Sequence, residues 1–230
     1  MSKKKQAVNQ FSAPWILWLV LGCGIAHAHG VASGDQSFLA NAEGIHVFPY
    51  MYLGAKHMVT GYDHLLYLAG VIFFLGAFKD VVKFVSLFAL GHSITLLLGV
   101  LSGLEVNVYL VDAIIGLSVS YKALENLGTI HFLDPGIAVF GFGLVHGFGL
   151  SSKLQDLSLS QDGLVANMIA FNIGVETGQL IALTALLMLF AWLRSLGHYQ
   201  QIARHCNIVL FGAGVFLFGT HSIGFYFSQG

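Results

Sequence analysis

Long apolar stretches separated by short polar connections occupy most of the chain after residue 47. A membrane-spanning helix needs about 20 consecutive apolar residues, and most of these stretches are that long. The pattern predicts an all-α polytopic membrane bundle with six transmembrane helices. The predicted spans are Phe48–Phe78, Val82–Leu101, Val106–Leu124, Gly136–Leu150, Leu164–Leu193 and Cys206–Phe227. The fourth is short and glycine-rich, so we expect it to be tilted, kinked or only partly spanning.

The N-terminus has the three-part pattern of an export signal. Lys3–Lys5 is followed by the apolar core Trp15–Leu21 and then by Ala26-His27-Ala28, an A-x-A cleavage site. This pattern predicts a signal peptide at residues 1–28, an exported segment at 29–47 and a six-helix domain at 48–230. If the signal is not cleaved, it forms a seventh helix. Cleavage leaves His29 first, where its amine and imidazole together chelate Ni²⁺ or Cu²⁺ well.

Composition and charge narrow the class of protein. Hydrophobic residues make up 56% of the chain and charged residues 9%, against about 25% in soluble domains. A net charge of −1 provides no basic field for nucleic acid, so we exclude that partner. The lipid bilayer is the expected partner, and a homo-oligomer is compatible with the sequence.

Lysines and arginines lie in alternate connections, which sets the orientation by the positive-inside rule. They predict a multi-pass protein of a bacterial-type inner membrane, with both mature termini on the exported side. The residues used are Lys79, Lys83, Lys122, Arg194 and Arg204.

The densest group of polar residues is His57-x-x-x-Gly61-x-Asp63-His64 in the first predicted span. At about 100° per residue, the two histidines lie two turns apart on one helix face. Gly61 between them allows a ligand or a neighbouring helix to approach closely. Polar groups at membrane depth are costly, so this cluster indicates function more than helix packing.

A second polar stripe follows the fifth span at Asn172, Glu176 and Gln179, whose spacing puts them on one helix face. Hydrogen bonding between helices could explain the two amides. Glu176 instead requires a partner, a proton or a cation at that depth.

Nearly every other span carries one further polar residue, which suggests a shared interior cavity. Imidazole and carboxylate suit Ni²⁺, Co²⁺ or Zn²⁺ better than Ca²⁺ or Mg²⁺. The predicted metal ligands are His57, Asp63, His64, His92, His146, Glu176 and His29, with Asn172, Gln179, Asp112, Ser93 and His221 as supporting polar residues.

Three functions fit such a site. A permease for a divalent metal ion is favoured, with uptake that weakens below about pH 6 because protons compete for imidazole. An intramembrane zinc-type hydrolase or oxidase is the alternative, but the sequence has no H-E-x-x-H motif and no nucleophile elbow. A membrane metal chaperone or sensor would bind without flux.

Several motifs in order resemble the HupE/UreJ membrane proteins associated with hydrogenases and ureases. The resemblance implies a permease for nickel or cobalt that feeds metalloenzyme maturation machinery, with the first-span histidines and aspartate essential for transport. Asp112 stands where this family is expected to have glutamate. The motifs are Gly54-x-x-His57-x-x-x-Gly61-x-Asp63-His64-Leu65-Leu66, Gly91-His92-Ser93-Ile94-Thr95-Leu96, Phe142-Gly143-Leu144-Val145-His146-Gly147-Phe148-Gly149 and Phe171-Asn172-Ile173-Gly174-Val175-Glu176-x-Gly178-Gln179-Leu180.

Overall fold

A computed structural model describes residues 35, 38, 39, 41–73, 75, 77–104, 106–156, 160–195 and 197–228. The predicted signal peptide and His29 lie outside these residues. The described chain contains seven bounded α-helices and no strand, which confirms the all-α prediction for this part. The helices are α1 (Val47–Thr60), α2 (Tyr62–Ile72), α3 (Phe78–Ser102), α4 (Val108–Asn126), α5 (Pro135–Gln155), α6 (Leu164–Ser195) and α7 (Tyr199–Phe227).

Four of these helices, α3, α5, α6 and α7, are long and apolar enough to cross a membrane. The expectation that the fourth span would be short is wrong, since α5 contains 21 residues. Its start is fixed by Pro135 and by Asp134, whose carboxylate accepts hydrogen bonds from the backbone N–H groups of Gly136 and Ile137. At the other end, α5 continues past Leu150 through two serines whose hydroxyls donate to the Phe148 carbonyl.

The other two predicted spans differ from simple apolar helices. The first is divided at Gly61 into α1, with 14 residues, and α2, with 11 residues. The third corresponds to α4, whose 19 residues include Asp112, Lys122 and Glu125. The total of six spans therefore remains a prediction.

Contacts between helix ends define the directions of the helices. At the end of the bundle where α1 begins, called the Val47 end, Asn167 donates to the Gly44 carbonyl. At the opposite end, called the Ile72 end, the Tyr199 hydroxyl donates to the Phe73 carbonyl. Helices α1, α2 and α6 therefore run parallel to one another. The Gln155 side chain at the end of α5 donates to the Leu104 carbonyl just after α3, so α3 and α5 also run parallel to each other. Helices α4 and α7 are antiparallel, with Asn126 bonded to Asn207.

Glycines let these paired helices touch backbone to backbone. A Cβ atom on Gly143 would lie 2.5 Å from the Phe88 carbonyl oxygen, and one on Gly91 would lie 2.5 Å from that of Phe140. Such close approach increases van der Waals contact, which is the main attraction between helices in lipid. The α3–α5 pair is consequently fixed in register.

Substitution of Gly143 by alanine should destabilise the protein, because the added methyl group collides with the α3 backbone. We expect a loss of about 1–3 kcal/mol, typical of overpacking. The matched control is Gly141→Ala on the same helix, where the space around the added Cβ is open for 4 Å. Thermal unfolding in detergent, followed by size-exclusion chromatography, should show a lower melting temperature for Gly143→Ala alone; equal values would contradict the packing argument.

Candidate metal centre

The break at Gly61 presents Asp63 and His64 at the start of α2. Gly61 is extended (φ −74°, ψ 99°), and Asp63 occupies the first turn of the helix that follows. A carboxylate is favoured there by the backbone N–H groups of a helix N-terminus. A Cβ on Gly61 would lie 3.1 Å from His64 Nδ1 and 3.3 Å from Asp63 Oδ1. Glycine at this position therefore leaves space for the His64 ring and the Asp63 carboxylate.

His64 lies at the centre of a group of four histidines from four helices. Its ring centroid is 5.2 Å from that of His57 on α1, 5.4 Å from His92 on α3 and 4.9 Å from His146 on α5. Its Nδ1 lies 3.1 Å from Asp63 Oδ1. The continuous helix expected from sequence is interrupted, yet the break still brings His57 and His64 together.

These five residues form two possible ligand sets that share His64. One set contains His57, His64 and His92, and the other contains Asp63, His64 and His146, with all ligand atoms in a set within 4.8 Å of one another. Two nitrogens bound to one ion at about 2.1 Å each are at most about 4.2 Å apart. Small side-chain movements would therefore close either set around a transition-metal ion.

The centre is almost completely buried. His146 is 0% exposed, His92 1%, Asp63 1%, His64 2% and His57 9%. Both ring nitrogens of His92 lack a hydrogen-bond partner in the described part of the chain. Because a buried polar atom without a partner is costly, these nitrogens favour a ligand in the cluster.

Residues beyond the predicted set support the centre. Ser118 Oγ lies 3.2 Å from His146 Nε2, and the Thr95 hydroxyl donates to the Leu144 carbonyl at 2.7 Å. The rings of Tyr67 and Phe88 pack 5.4 and 5.1 Å from that of His146. Tyr67 could have been found in the sequence, since it follows His64 by three residues on one helix face.

The stripe on α6 does not enter this cluster. Gln179 is buried and donates to the Val85 carbonyl, Asn172 is half-buried, and Glu176 is exposed on the helix surface. Glu176 and Gln179 are about 60° apart around the helix, so the stripe follows the edge of the packed face. Ser93 is half-buried on α3 and belongs to neither ligand set.

Asp112 and His221 lie in a second polar group nearer the Val47 end. Lys153 Nζ is 2.9 and 3.0 Å from the two carboxylate oxygens of Asp112, and His221 Nδ1 is 3.8 Å from Oδ2. The fourth predicted span ended at Leu150 and left Lys153 outside the helix, but α5 extends far enough to include it. The Lys153 and Asp112 side chains are 13% and 4% exposed. This buried ion pair joins α5 to α4.

Removing His64 should weaken metal binding more than removing any other ligand, because both sets lose a donor. Loss of supporting groups around a metal already costs about 10- to 100-fold in affinity, so we expect His64→Ala to cost at least that. Calorimetric titration of the detergent-solubilised protein with Ni²⁺ measures this. His57→Ala should have a smaller effect, and the exposed His205→Ala should have none; unchanged affinity in His64→Ala would disprove the shared centre.

Breaking the Lys153–Asp112 pair should destabilise the bundle. Lys153→Met leaves a buried carboxylate without its cation, a situation that costs about 3–5 kcal/mol. Asp112→Asn added to Lys153→Met removes the isolated charge and should recover much of the lost stability. Melting temperatures of both variants give the answer, and a double variant no more stable than the single one would contradict it.

Comparison with protein families agrees with the motifs. The family model described as HupE / UreJ protein matches residues 33–229, a range that includes all seven helices and both ligand sets. Neither curated proteins nor solved structures gave a match. The chain therefore belongs to the HupE/UreJ family.

Proposed function

We propose that the protein is a membrane permease for a divalent transition-metal ion, with nickel as the preferred cargo. Cobalt is the nearest alternative, followed by zinc and copper. One observation carries the proposal: two ligand sets share His64 in the buried interior of a bundle that contains membrane-length helices.

The depth of the cluster supports transport. His57 lies ten residues after the start of α1 and His146 nine residues before the end of α5, which places both about 15 Å from the Val47 end. An ion bound there is separated from both ends of the bundle. A site at this depth is typical of transporters, whose cargo binds near the bilayer midplane.

The ligand types support the choice of cargo. Each set contains imidazole, and one adds a carboxylate, whereas Ca²⁺ and Mg²⁺ prefer sites built from oxygen alone. Nickel and cobalt bind well to imidazole, and the family description is consistent with metal handling. Ligands that are at most 9% exposed also favour a small ion over a bulky enzyme substrate.

The helix directions support a six-span topology. The α1–α2 unit and the helices α3 to α7 run alternately toward the Ile72 end and the Val47 end, as successive membrane crossings must. With the basic connections placed in the cytoplasm, the Val47 end faces the exported side. On this topology the ion enters from the exported side and leaves toward the cytoplasm, where metalloenzyme maturation takes place.

Reconstitution in liposomes tests the permease directly. We expect accumulation of Ni²⁺ in vesicles with wild-type protein, and its loss in Asp63→Asn and in His57→Ala/His64→Ala. His205→Ala serves as the control because that exposed ring bonds only to its own helix. Normal flux in the double variant would show that the site is wrong. Tight metal retention without flux in the wild type would instead support a chaperone or sensor.

Accumulation should also decrease as the external pH falls below about 6, because a protonated imidazole has no lone pair for metal. The measurement is initial Ni²⁺ uptake between pH 5 and 8. Uptake independent of pH would argue against histidine ligation as the first step.

A further inference from the structure

Two helix pairs in the bundle are packed in the same way. In the α3–α5 pair, Gly143 faces the Phe88 carbonyl and Gly91 faces the Phe140 carbonyl. In the α6–α1 pair, Gly54 faces the Phe171 carbonyl and Gly174 faces the Met51 carbonyl. The contacts within each pair are separated by three residues on both helices. Consequently α1 corresponds to α5 and α6 corresponds to α3, residue by residue.

In the third pair, α4 with α7, the two helices correspond to each other. A Cβ on Gly116 would lie 2.5 Å from the Phe218 backbone nitrogen, and one on Gly214 would lie 2.6 Å from that of Ser120. The same Cβ positions lie 3.0 and 2.8 Å from the carbonyl oxygens of Gly214 and Gly116, respectively. A two-fold rotation that exchanges α4 with α7 reproduces these contacts.

All three correspondences preserve the order of the helices along the chain. Helices α1, α3 and α4 correspond to α5, α6 and α7, but α1 runs away from the Val47 end and α5 runs toward it. The two parts of the chain therefore have inverted topology. Many transporters are built from repeats of this kind, and alternating access arises when the repeats exchange conformations.

The repeat also relates two of the histidines. Gly54-Ala55-Lys56-His57 corresponds to Gly143-Leu144-Val145-His146, so His57 and His146 occupy equivalent positions. Their surroundings match as well: the rings of His57 and Phe171 are 6.4 Å apart, and those of His146 and Phe88 are 5.1 Å apart. His57 belongs to one ligand set and His146 to the other, with His64 between them.

The two parts are not in the same conformation. Helix α4 packs closely against α5 through Asp112–Lys153 and Ser118–His146. The equivalent packing of α7 against α1 is much less extensive. Phe216 on α7, the counterpart of Ser118, is 64% exposed. Helix α7 therefore has room to close on α1 as α4 now closes on α5.

We propose that the two inverted repeats exchange conformations, so that the α4–α5 contact is replaced by an α7–α1 contact while the ion passes across His64 between the two ligand sets. In this structure α4 is closed against the His146 side. In the second state α7 closes against the His57 side. The cargo in this inference rests on the proposed function, whereas the exchange of helix contacts does not.

Cysteine cross-linking tests the exchange. The Ile115–Gly149 contact between α4 and α5 corresponds, in the second state, to Ala213 on α7 facing Thr60 on α1. In a Cys23→Ser/Cys206→Ser background, Thr60→Cys/Ala213→Cys should react with a short bifunctional thiol reagent, as measured by mass spectrometry of bridged peptides. The matched control, Thr60→Cys/Thr220→Cys, moves one thiol about 10 Å along α7 and should react much less.

A second experiment uses a substitution that should shift the balance between the two states. Lys153→Ala removes the ion pair that holds α4 on α5. It should therefore raise the cross-linking yield of the Thr60/Ala213 cysteine pair several-fold and leave that of the control pair unchanged. Size-exclusion profiles verify that each variant is folded. Equal yields in both pairs, or a yield insensitive to Lys153→Ala, would overturn the exchange even if metal flux is normal.

The flux of the cross-linked protein separates this inference from the proposed function. Cross-linked Thr60/Ala213 protein should lose Ni²⁺ uptake in liposomes, and cleavage of a reducible linker should restore it. Selective cross-linking in a protein that transports no metal would support the exchange and refute the permease. Undiminished uptake by fully cross-linked protein would refute the exchange as the transport step.

Discussion

Direct contact between helix backbones is the constraint on which the rest of this structure depends. In a bilayer the apolar side chains gain little by leaving lipid, so close packing must hold the helices together. Gly147 illustrates the point, because a Cβ there would lie 3.0 Å from the carbonyl carbon of His92. The same contact places His92 and His146 near one ring of α2. The same glycine contacts therefore hold the helices together and place the candidate ligands.

The buried histidine cluster, in contrast, is unfavourable for the stability of the bundle. Polar nitrogens in an apolar interior are unfavourable without partners, and His92 has none among the described residues. The glycine contacts hold the helices that carry these rings close together. A bound divalent cation would satisfy the nitrogens, and the Asp63 carboxylate would offset part of its charge. Stability of the bundle and affinity for the ion would thus be coupled.

Hydrophobic patterning predicted the helical class well, because apolar length reports directly on membrane-sized helices. It also located the histidines that the fold brings together, since buried polar residues stand out in apolar segments. It did not predict the break at Gly61, because glycine within an apolar run is equally compatible with a continuous helix. The direction of Glu176 was also missed, since a stripe at the edge of a packed face has no sequence signature distinguishing its two sides.

Contacts between residues far apart in the sequence were the hardest feature to predict. Lys153 looked like a loop residue because the predicted fourth span ended at Leu150, and only the length of α5 shows that it reaches Asp112. The correspondence between Gly54 and Gly143 was equally hidden, because the matching sequence around each is four residues long and only two of those residues are identical. The correspondence between these helices is seen only in their backbone contacts, because the sequence match is too short to show it.

The shared position of His64 also limits how many ions the two ligand sets could hold at once. A neutral imidazole offers one lone pair, so at most one ion at a time could bind His64. The two ligand sets are then mutually exclusive rather than additive. In the proposed permease, cargo would therefore cross one ion at a time, and the rate would saturate with metal concentration along a simple hyperbola, without cooperativity between ions.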